Sequence, residues 1–169
     1  MLNSFRCKAV IVLGASAAAL SSPASAGTKS DNLGVSATVA ANCTISTTAL
    51  DFGSIDTLSA SPVTGTGGIS VTCTSGTGWT AAADAGTGTG ASYAGRQMTS
   101  GAGDVLGYNL FTTGAYAVVW GDGTSSSATV GDTGSGSAQS VTIYGRIPAG
   151  QLTVPAGSYA DTVAVTVTY

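Results

Sequence analysis

The chain has 169 residues, of which 43% are hydrophobic and only 8% are charged; five Lys and Arg residues stand against eight Asp, and Glu and His are absent. This length suits one domain plus a short processing segment, and the hydrophobic content argues against disorder. Without His, no Ser-His-Asp or Cys-His site can form, and the commonest zinc ligand is missing. Acidic residues outnumber basic ones and the basic residues are scattered, so the chain lacks the basic surface that binds nucleic acid. We therefore expect a structural protein and not an enzyme, with no cofactor, nucleic-acid partner or small-molecule substrate.

Residues 1–26 have the pattern of a secretory signal peptide. Arg6 and Lys8 precede an apolar run over 9–20, and Ala24-Ser25-Ala26 is a small-residue cleavage site. The run is shorter than the stretch of about 18 apolar residues that a transmembrane helix needs. We expect an exported protein whose mature chain has three cations and eight Asp, hence a net charge of 3 − 8 = −5.

Two cysteines, Cys43 and Cys73, remain in the mature chain once Cys7 leaves with the signal peptide. Export places them in an oxidising compartment, where pairing is the default. A redox or metal pair is the alternative, but two cysteines so far apart and without His make a poor metal site. We predict a structural disulfide that closes a loop of about 31 residues, worth roughly 3–4 kcal/mol.

Alternation of apolar and polar residues dominates the first half of the mature chain and predicts β-strands. The first alternating stretch covers 33–39, and its apolar face carries Leu33, Val35, Ala37 and Val39. Further strands are predicted over 43–55, 69–73 and 79–83. The Gly/Thr stretch 86–90 is predicted to be a turn or exposed loop.

The second half continues the pattern. Strands are predicted over 104–112, 117–120 and 139–147, with a turn at 121–123 and a surface loop over 124–137. The terminal strand, 159–169, alternates most clearly and carries Val163, Val165, Val167 and Tyr169 on one face. No helix of ordinary length is readable after residue 26. The sequence therefore predicts an all-β immunoglobulin-like sandwich or a related barrel.

Four parts of the chain together resemble the spore coat protein U domain family, which includes archaic chaperone–usher pilins. Their shared order and spacing carry the resemblance, because each part alone is a loose match. They are the alternating stretch Leu33–Cys43, the strand Gly68–Cys73, the central pair Leu106–Phe111 and Val119–Gly123, and the C-terminal pair Ile143–Pro148 and Ala156–Val163, which holds Gly-x-Tyr-x-Asp-Thr.

The resemblance implies an incomplete immunoglobulin-like β-sandwich of the pilin type, completed by donor-strand complementation. It divides the chain into a signal peptide (1–26), an N-terminal donor-strand arm (27–40) and a spore coat U or pilin-like domain (41–169). A periplasmic chaperone would lend a strand during export. At an outer-membrane usher, the arm of the next subunit would replace it, which gives a head-to-tail polymer of the chain with itself.

The resemblance also implies roles for two sets of residues. Leu33, Val35, Ala37 and Val39 would be the donor strand, and Val163, Val165, Val167 and Tyr169 would form the terminal strand that faces the chaperone. The expected function is a pilus or fimbrial subunit, exported through the periplasm to the cell surface or secreted, that serves adhesion and biofilm formation. Two alternatives stay open: a secreted coat or matrix protein that folds as a complete monomer, and a small carbohydrate-binding module that stacks sugars on Trp79 or Trp120.

Overall fold

The computed structural model describes residues 25–169, so the predicted signal peptide lies outside the described residues except for Ser25 and Ala26. Within this range the chain forms strands and no helix, and therefore no helix that could cross a membrane. The strands are β1 (Cys43–Thr48), β2 (Val63–Cys73), β3 (Gly78–Ala83), β4 (Arg96–Ser100), β5 (Val105–Phe111), β6 (Val119–Trp120), β7 (Ser127–Ala128), β8 (Val130–Thr133), β9 (Gln139–Ile147), β10 (Tyr159–Ala160) and β11 (Val165–Thr168).

The strands form two sheets. The larger sheet has eight strands in the order β1-β2-β9-β5-β4-β10, with β6 beside β5 and β7 beside β6. The smaller sheet has the order β11-β3-β8. Inward-facing residues of both sheets share one core, so the fold is the predicted all-β sandwich. The buried members of this core are Ile69, Val71, Cys73, Trp79, Ala81, Ala83, Leu106, Tyr108, Leu110, Trp120, Ile143 and Ile147.

The disulfide predicted between Cys43 and Cys73 is present, with an S–S distance of 2.02 Å. The two cysteines are direct neighbours across β1 and β2, so the bond joins the first residue of β1 to the last residue of β2. Cys73 is 1% exposed and belongs to the core. The predicted disulfide is therefore confirmed.

Glycines in β2 and β9 explain why the alternation pattern missed the start of β2. Gly65, Gly67 and Gly145 lie beneath Leu50 and Phe52, which pack across the sheet; a Cβ on Gly145 would lie 2.7 Å from Leu50 Cδ1. These inward positions have no side chain, so they carry no apolar signal in the sequence. The predicted strand 69–73 in fact begins at Val63.

Two other strand predictions were wrong in extent, one predicted loop contains strands, and one strand was not predicted. The strand predicted over 43–55 ends at Thr48, since Leu50 and Phe52 leave the ladder to cover the glycines. The predicted loop 124–137 contains β7 and β8, whose small and polar residues hide the alternation. β4 was not predicted, and the terminal stretch 159–169 contains two short strands, β10 and β11, where a single one was expected.

Residues 25–42 form no strand, so the strand predicted over 33–39 is absent. Every side chain of this segment is exposed, including Leu33, Val35 and Val39 at 89%, 87% and 82%. A lone strand cannot pair its backbone groups or bury its apolar face, so the alternating pattern has no structural effect without a partner.

Candidate functional site

The first edge of the site is β1. Among the described residues β1 pairs only with β2. The carbonyl of Asn42 accepts a hydrogen bond from the Thr74 amide at 2.9 Å, so the even-numbered residues of this strand turn their backbone groups toward β2. The N–H and C=O groups of Cys43, Ile45 and Thr47 therefore point away from the sheet and are free to pair with another strand.

The second edge is β11, which pairs only with β3 within the described range. The carbonyl of Ala164 accepts from the Asp84 amide at 3.0 Å, so even-numbered residues again face the existing partner. The backbone groups of Val163, Val165 and Val167 point to the open side. Their side chains pack against the core, so this edge offers both hydrogen bonds and an apolar face.

A cavity of about 250 Å³ lies between these edges. Residues 47–50 line one side and Val163 and Val165 the other. Farther along, the Tyr169 hydroxyl donates to Asn42 Oδ1 at 3.4 Å, which brings the end of the terminal strand to the start of β1. The two edges therefore run antiparallel to each other. The floor of the cavity is apolar and is formed by Ile69, Leu110, Trp120 and Ile143.

A larger cavity, of about 790 Å³, adjoins the first and shares Leu50, Leu110 and Asp161 with it. Its apolar lining includes Phe52, Leu106, Tyr108, Val154 and Tyr159. We name the two cavities together the apolar groove.

Side chains along the groove are less buried than their counterparts deeper in the sandwich. Ile45 shares the inward face of β1 with Cys43, yet it is 38% exposed. Val165 and Val167 are half-buried, although their partners across the ladder, Ala83 and Ala81, are fully buried. The core is thus open along a strip between β1 and β11, and the sandwich is incomplete, as predicted.

Asp161 fixes the wall of the groove where the two cavities meet. Its Oδ1 accepts hydrogen bonds from the Thr87 amide at 2.7 Å and the Thr87 hydroxyl at 3.0 Å, and its Oδ2 accepts from the Tyr108 hydroxyl at 2.7 Å. Burial and then this bond to Asp161 raise the pKa of Tyr108 well above its usual range, so the phenol stays a donor. Asp84 makes a further hydrogen bond to the terminal segment, because its Oδ1 accepts from the Ala164 amide at 3.0 Å.

Arg96 is fully buried behind this wall and donates to three oxygens. They are the carbonyls of Asp84 at 2.6 Å and Trp120 at 2.8 Å, and the side-chain oxygen of Asn109 at 2.8 Å. Desolvation lowers the pKa of this guanidinium, and the hydrogen bonds offset the cost of burying it. Arg96 therefore holds the loop after β3, the strand β5 and the end of β6 in one arrangement.

The two tryptophans cannot serve a sugar site in this fold. Trp79 and Trp120 are each 2% exposed, and the Trp120 indole N–H donates to the carbonyl of Ala81 at 3.1 Å. Both rings are core residues. Within residues 25–169 there is also no group of three or more Cys, Asp or Glu side chains placed to hold a metal ion.

The profile of the Spore Coat Protein U domain matches residues 29–166. Protein U of Myxococcus xanthus is 32% identical over 186 residues, an alignment that covers 99% of this chain and 100% of that protein. The chain belongs to the spore coat protein U domain family. The resemblance drawn from the four sequence segments is thereby confirmed.

The same fold occurs in the crystal structure of the CsuC–CsuE chaperone–tip adhesion subunit pre-assembly complex from the archaic chaperone–usher Csu pili of Acinetobacter baumannii. The match has a TM-score of 0.56 and 22% identity, and it covers 78% of this chain. It covers 41% of the matched chain, so this member of the spore coat protein U family spans about two fifths of that chain's length.

The sequence predicted some of the site and missed the rest. It named Cys43 beside one edge and Val163, Val165 and Val167 on the other. It missed the floor residues and Ile45, although Ile45 stands two residues from Cys43 and so shares its face. It also missed Asp161 as a fixing residue, although the Gly-x-Tyr-x-Asp-Thr segment contains it.

Proposed function

We propose that this chain is a structural subunit of an archaic chaperone–usher pilus or fimbria, assembled by donor-strand exchange and serving adhesion and biofilm formation. The observation that carries the proposal is an apolar groove bounded by two free strand edges, in a chain that also has an exposed alternating arm. The arm would enter the groove of the next copy. Export through the periplasm, release at an outer-membrane usher and a non-enzymatic role follow from this assignment.

The dimensions of arm and groove agree. β1 has six residues and residues 33–39 number seven, which correspond to about 20 Å and about 23 Å of extended strand. A strand laid between β1 and β11 can pair with both edges at once, parallel to one and antiparallel to the other. Its alternate side chains would then point to the groove floor.

The energy of such insertion is large enough to hold a fibre together. Burying Leu33, Val35, Ala37 and Val39 contributes about 5–10 kcal/mol, at roughly 1.5–3 kcal/mol for each large side chain and less for Ala. Each ladder hydrogen bond adds about 0.5–1.5 kcal/mol. Donation from one copy to the next is a head-to-tail contact, which gives open filaments and not closed rings.

The segment between arm and domain supports donation to another molecule. The Thr74 hydroxyl lies 3.5 Å from the Ala40 carbonyl and 3.3 Å from the Asn42 carbonyl, so residues 40–42 continue the direction of β1. A return into the groove of the same molecule would need a tight turn here, and that turn would break the hydrogen bonds that Thr74 makes to residues 40–42.

The terminal strand supports a chaperone as an earlier partner. Val163, Val165 and Val167 present backbone groups and an apolar face on the open side of β11, which suits a strand lent by another protein. Tyr169, at the end of this edge, is 56% exposed. The chaperone would occupy the groove during export, and the arm of the next subunit would then replace it.

The test compares two substitutions in the arm of the mature chain, co-expressed with its chaperone. Val35→Asp should abolish polymers, seen as heat-labile ladders in gels of unboiled samples, because a charge would enter the groove. Chaperone binding should persist, since the chaperone uses its own strand. Ser36→Asp, on the opposite face of the arm, is the matched control and should polymerise normally. Equal polymerisation by both variants would refute the proposal.

A second candidate function, a secreted coat protein that folds as a complete monomer, is favoured by the description of the matched family. This candidate predicts a monomer where the pilus subunit would polymerise. The mature chain, purified without a chaperone, would be a discrete stable monomer, and deletion of residues 27–40 would leave its fold intact.

A further inference from the structure

A cluster of aromatic rings lies on the outer face of the larger sheet, away from the groove. Tyr116 packs edge-to-face against Phe111 at 5.5 Å and against Tyr144 at 6.4 Å between ring centroids. The Arg146 guanidinium lies 5.5 Å from the centroid of the Tyr116 ring. All three rings are half-exposed and Arg146 is exposed. We name these four residues the aromatic patch.

The loop that presents Tyr116 holds it in an unusual conformation. Tyr116 has a φ of +54°, which a bulky residue rarely adopts. Two backbone hydrogen bonds shape the loop, from Tyr116 N to Thr113 O at 3.1 Å and from Thr112 N to Val118 O at 3.0 Å. Such strain persists where the surroundings fix it and is concentrated at functional sites.

Arg146 has uncharged neighbours on both sides. Its partners across the ladders are Thr64 on β2 and Asn109 on β5. A guanidinium has five N–H donors in a planar fork that suits a carboxylate. The Arg146 guanidinium lies over the half-exposed Tyr116 ring, so its donors suit an anionic group on a ligand that also contacts the ring cluster.

The outer face beside the patch is covered with hydroxyl groups. Its outward positions on β1, β2 and β9 carry only Thr, Ser and Gly apart from Tyr144 and Arg146, so Arg146 supplies the only charge on these three strands' outer face. The register places them in cross-strand rows: Thr44 with Thr72; Ser46 with Ser70 and Ser140; Thr48 with Gly68 and Thr142; Thr66 with Tyr144; and Thr64 with Arg146.

We propose that this face binds an acidic polysaccharide, with sugar rings stacked on Tyr116 and Tyr144 and a uronate carboxylate held by Arg146. Aromatic rings offer flat apolar surfaces to the C–H faces of sugars, and Ser and Thr hydroxyls both donate to and accept from sugar hydroxyls. The positive charge selects a carboxylate-bearing chain over a neutral one, although the whole mature protein is acidic.

The composition of the face favours a glycan over a protein partner. The core of a protein interface is rich in aromatic and other large residues and poor in Ser. Here the rings form one small cluster, and Ser and Thr dominate the remaining area. The proposal uses a surface separate from the apolar groove, so it does not depend on donor-strand exchange.

The test is affinity electrophoresis of the mature chain, as purified, in native gels containing polygalacturonate or, for comparison, neutral dextran. Polygalacturonate should retard the wild type and dextran should not. Arg146→Gln should weaken retardation about tenfold, as expected for loss of a charge-assisted hydrogen bond, and Arg146→Lys should restore part of it. Lys29→Gln, which removes the other exposed cation of the mature chain, is the matched control and should bind as the wild type does.

A second variant separates binding from folding. Tyr116→Gly suits the positive φ, so it should keep the melting temperature while it weakens polygalacturonate retardation. Retardation of R146Q equal to that of the wild type, or no retardation of the wild type, would overturn the proposal. A smaller particle mass for R146Q than for the wild type, measured by light scattering, would also overturn it, because that result would assign the face to contacts between copies.

Discussion

At the scale of single residues, one carboxylate organises the wall of the groove. Asp161 joins the loop after β3 to β5 through Thr87 and Tyr108, and it lies on both cavities. Neither partner is near it in the sequence, so its role depends on the tertiary fold. Two predictions address this residue.

Gly86 is required beside Asp161. It has a φ of +88°, and a Cβ at this position would collide with the Asp161 carboxylate. Gly90 has a similar φ of +77° with open space around it. Gly86→Ala should therefore lower the free energy of unfolding by about 1–3 kcal/mol more than Gly90→Ala, which carries the backbone strain alone. Urea denaturation of the two variants measures the difference, and equal losses would contradict it.

Alkaline stability reports on Tyr108. Burial and the bond to Asp161 raise its pKa above the ordinary value of about 10. Above pH about 10 the unfolded phenol loses its proton while the folded one keeps it, so the free energy of unfolding falls as pH rises. Tyr108→Phe should flatten this fall. Thermal melts from pH 8 to about 11 measure the slope; parallel slopes for Tyr108→Phe and wild type would contradict the assignment.

At the scale of elements, β1 is an edge strand with an exposed burial pattern, and its attachment rests on β2. The disulfide is therefore its strongest constraint. Cys43→Ser should lower stability by about 3–4 kcal/mol and reduce exported yield. The double variant Cys43→Ser/Cys73→Ser controls for a free thiol and should show the same loss. Melting temperature and yield equal to wild type in both variants would count against this role.

The sequence predicted best those strands whose inward positions carry apolar residues. β9 alternates clearly and was predicted with its true bounds, whereas the alternation over 159–169 located β11 but not its start. The first half of β2 was missed because its inward positions Gly65 and Gly67 have no side chain. Leu50 and Phe52 cover this part of the sheet, and they also pack on Gly145, which lies far along the chain. β4 was missed because its first inward-facing residue is Arg96. From the sequence alone an Arg is expected at the surface, and only the fold shows the three acceptors that allow its burial.

At the scale of the whole molecule, the open strip between β1 and β11 is the feature from which we propose completion of the sandwich by another strand. The exposed arm and the open groove were both implied by the family resemblance, whereas alternation alone does not distinguish an arm from an ordinary strand. The floor residues come from several strands of the larger sheet and β6, so only the assembled sandwich reveals the groove.

A fusion tests the proposed completion directly. Residues 30–41 can be appended after Tyr169 through an Asn-Gly turn, which would direct the added strand antiparallel to β11. The product should be a discrete monomer that melts about 10 °C or more above the unfused chain. The same fusion with Asp at the position of Val35 is the control and should gain nothing. An unchanged melting temperature in the first fusion would contradict a strand-shaped vacancy.

The position of the disulfide has a mechanical consequence for such a fibre. Tension on an inserted arm would enter the domain at Cys43, where β1 begins, and pass through the covalent bond into Cys73. Within the described residues of a single chain, β2 pairs with a strand on each side, whereas β1 pairs with β2 alone. The pull would thus pass to β2 without loading the hydrogen bonds between β1 and β2, so reducing agents should lower the force at which a fibre breaks more than they lower its stability at rest.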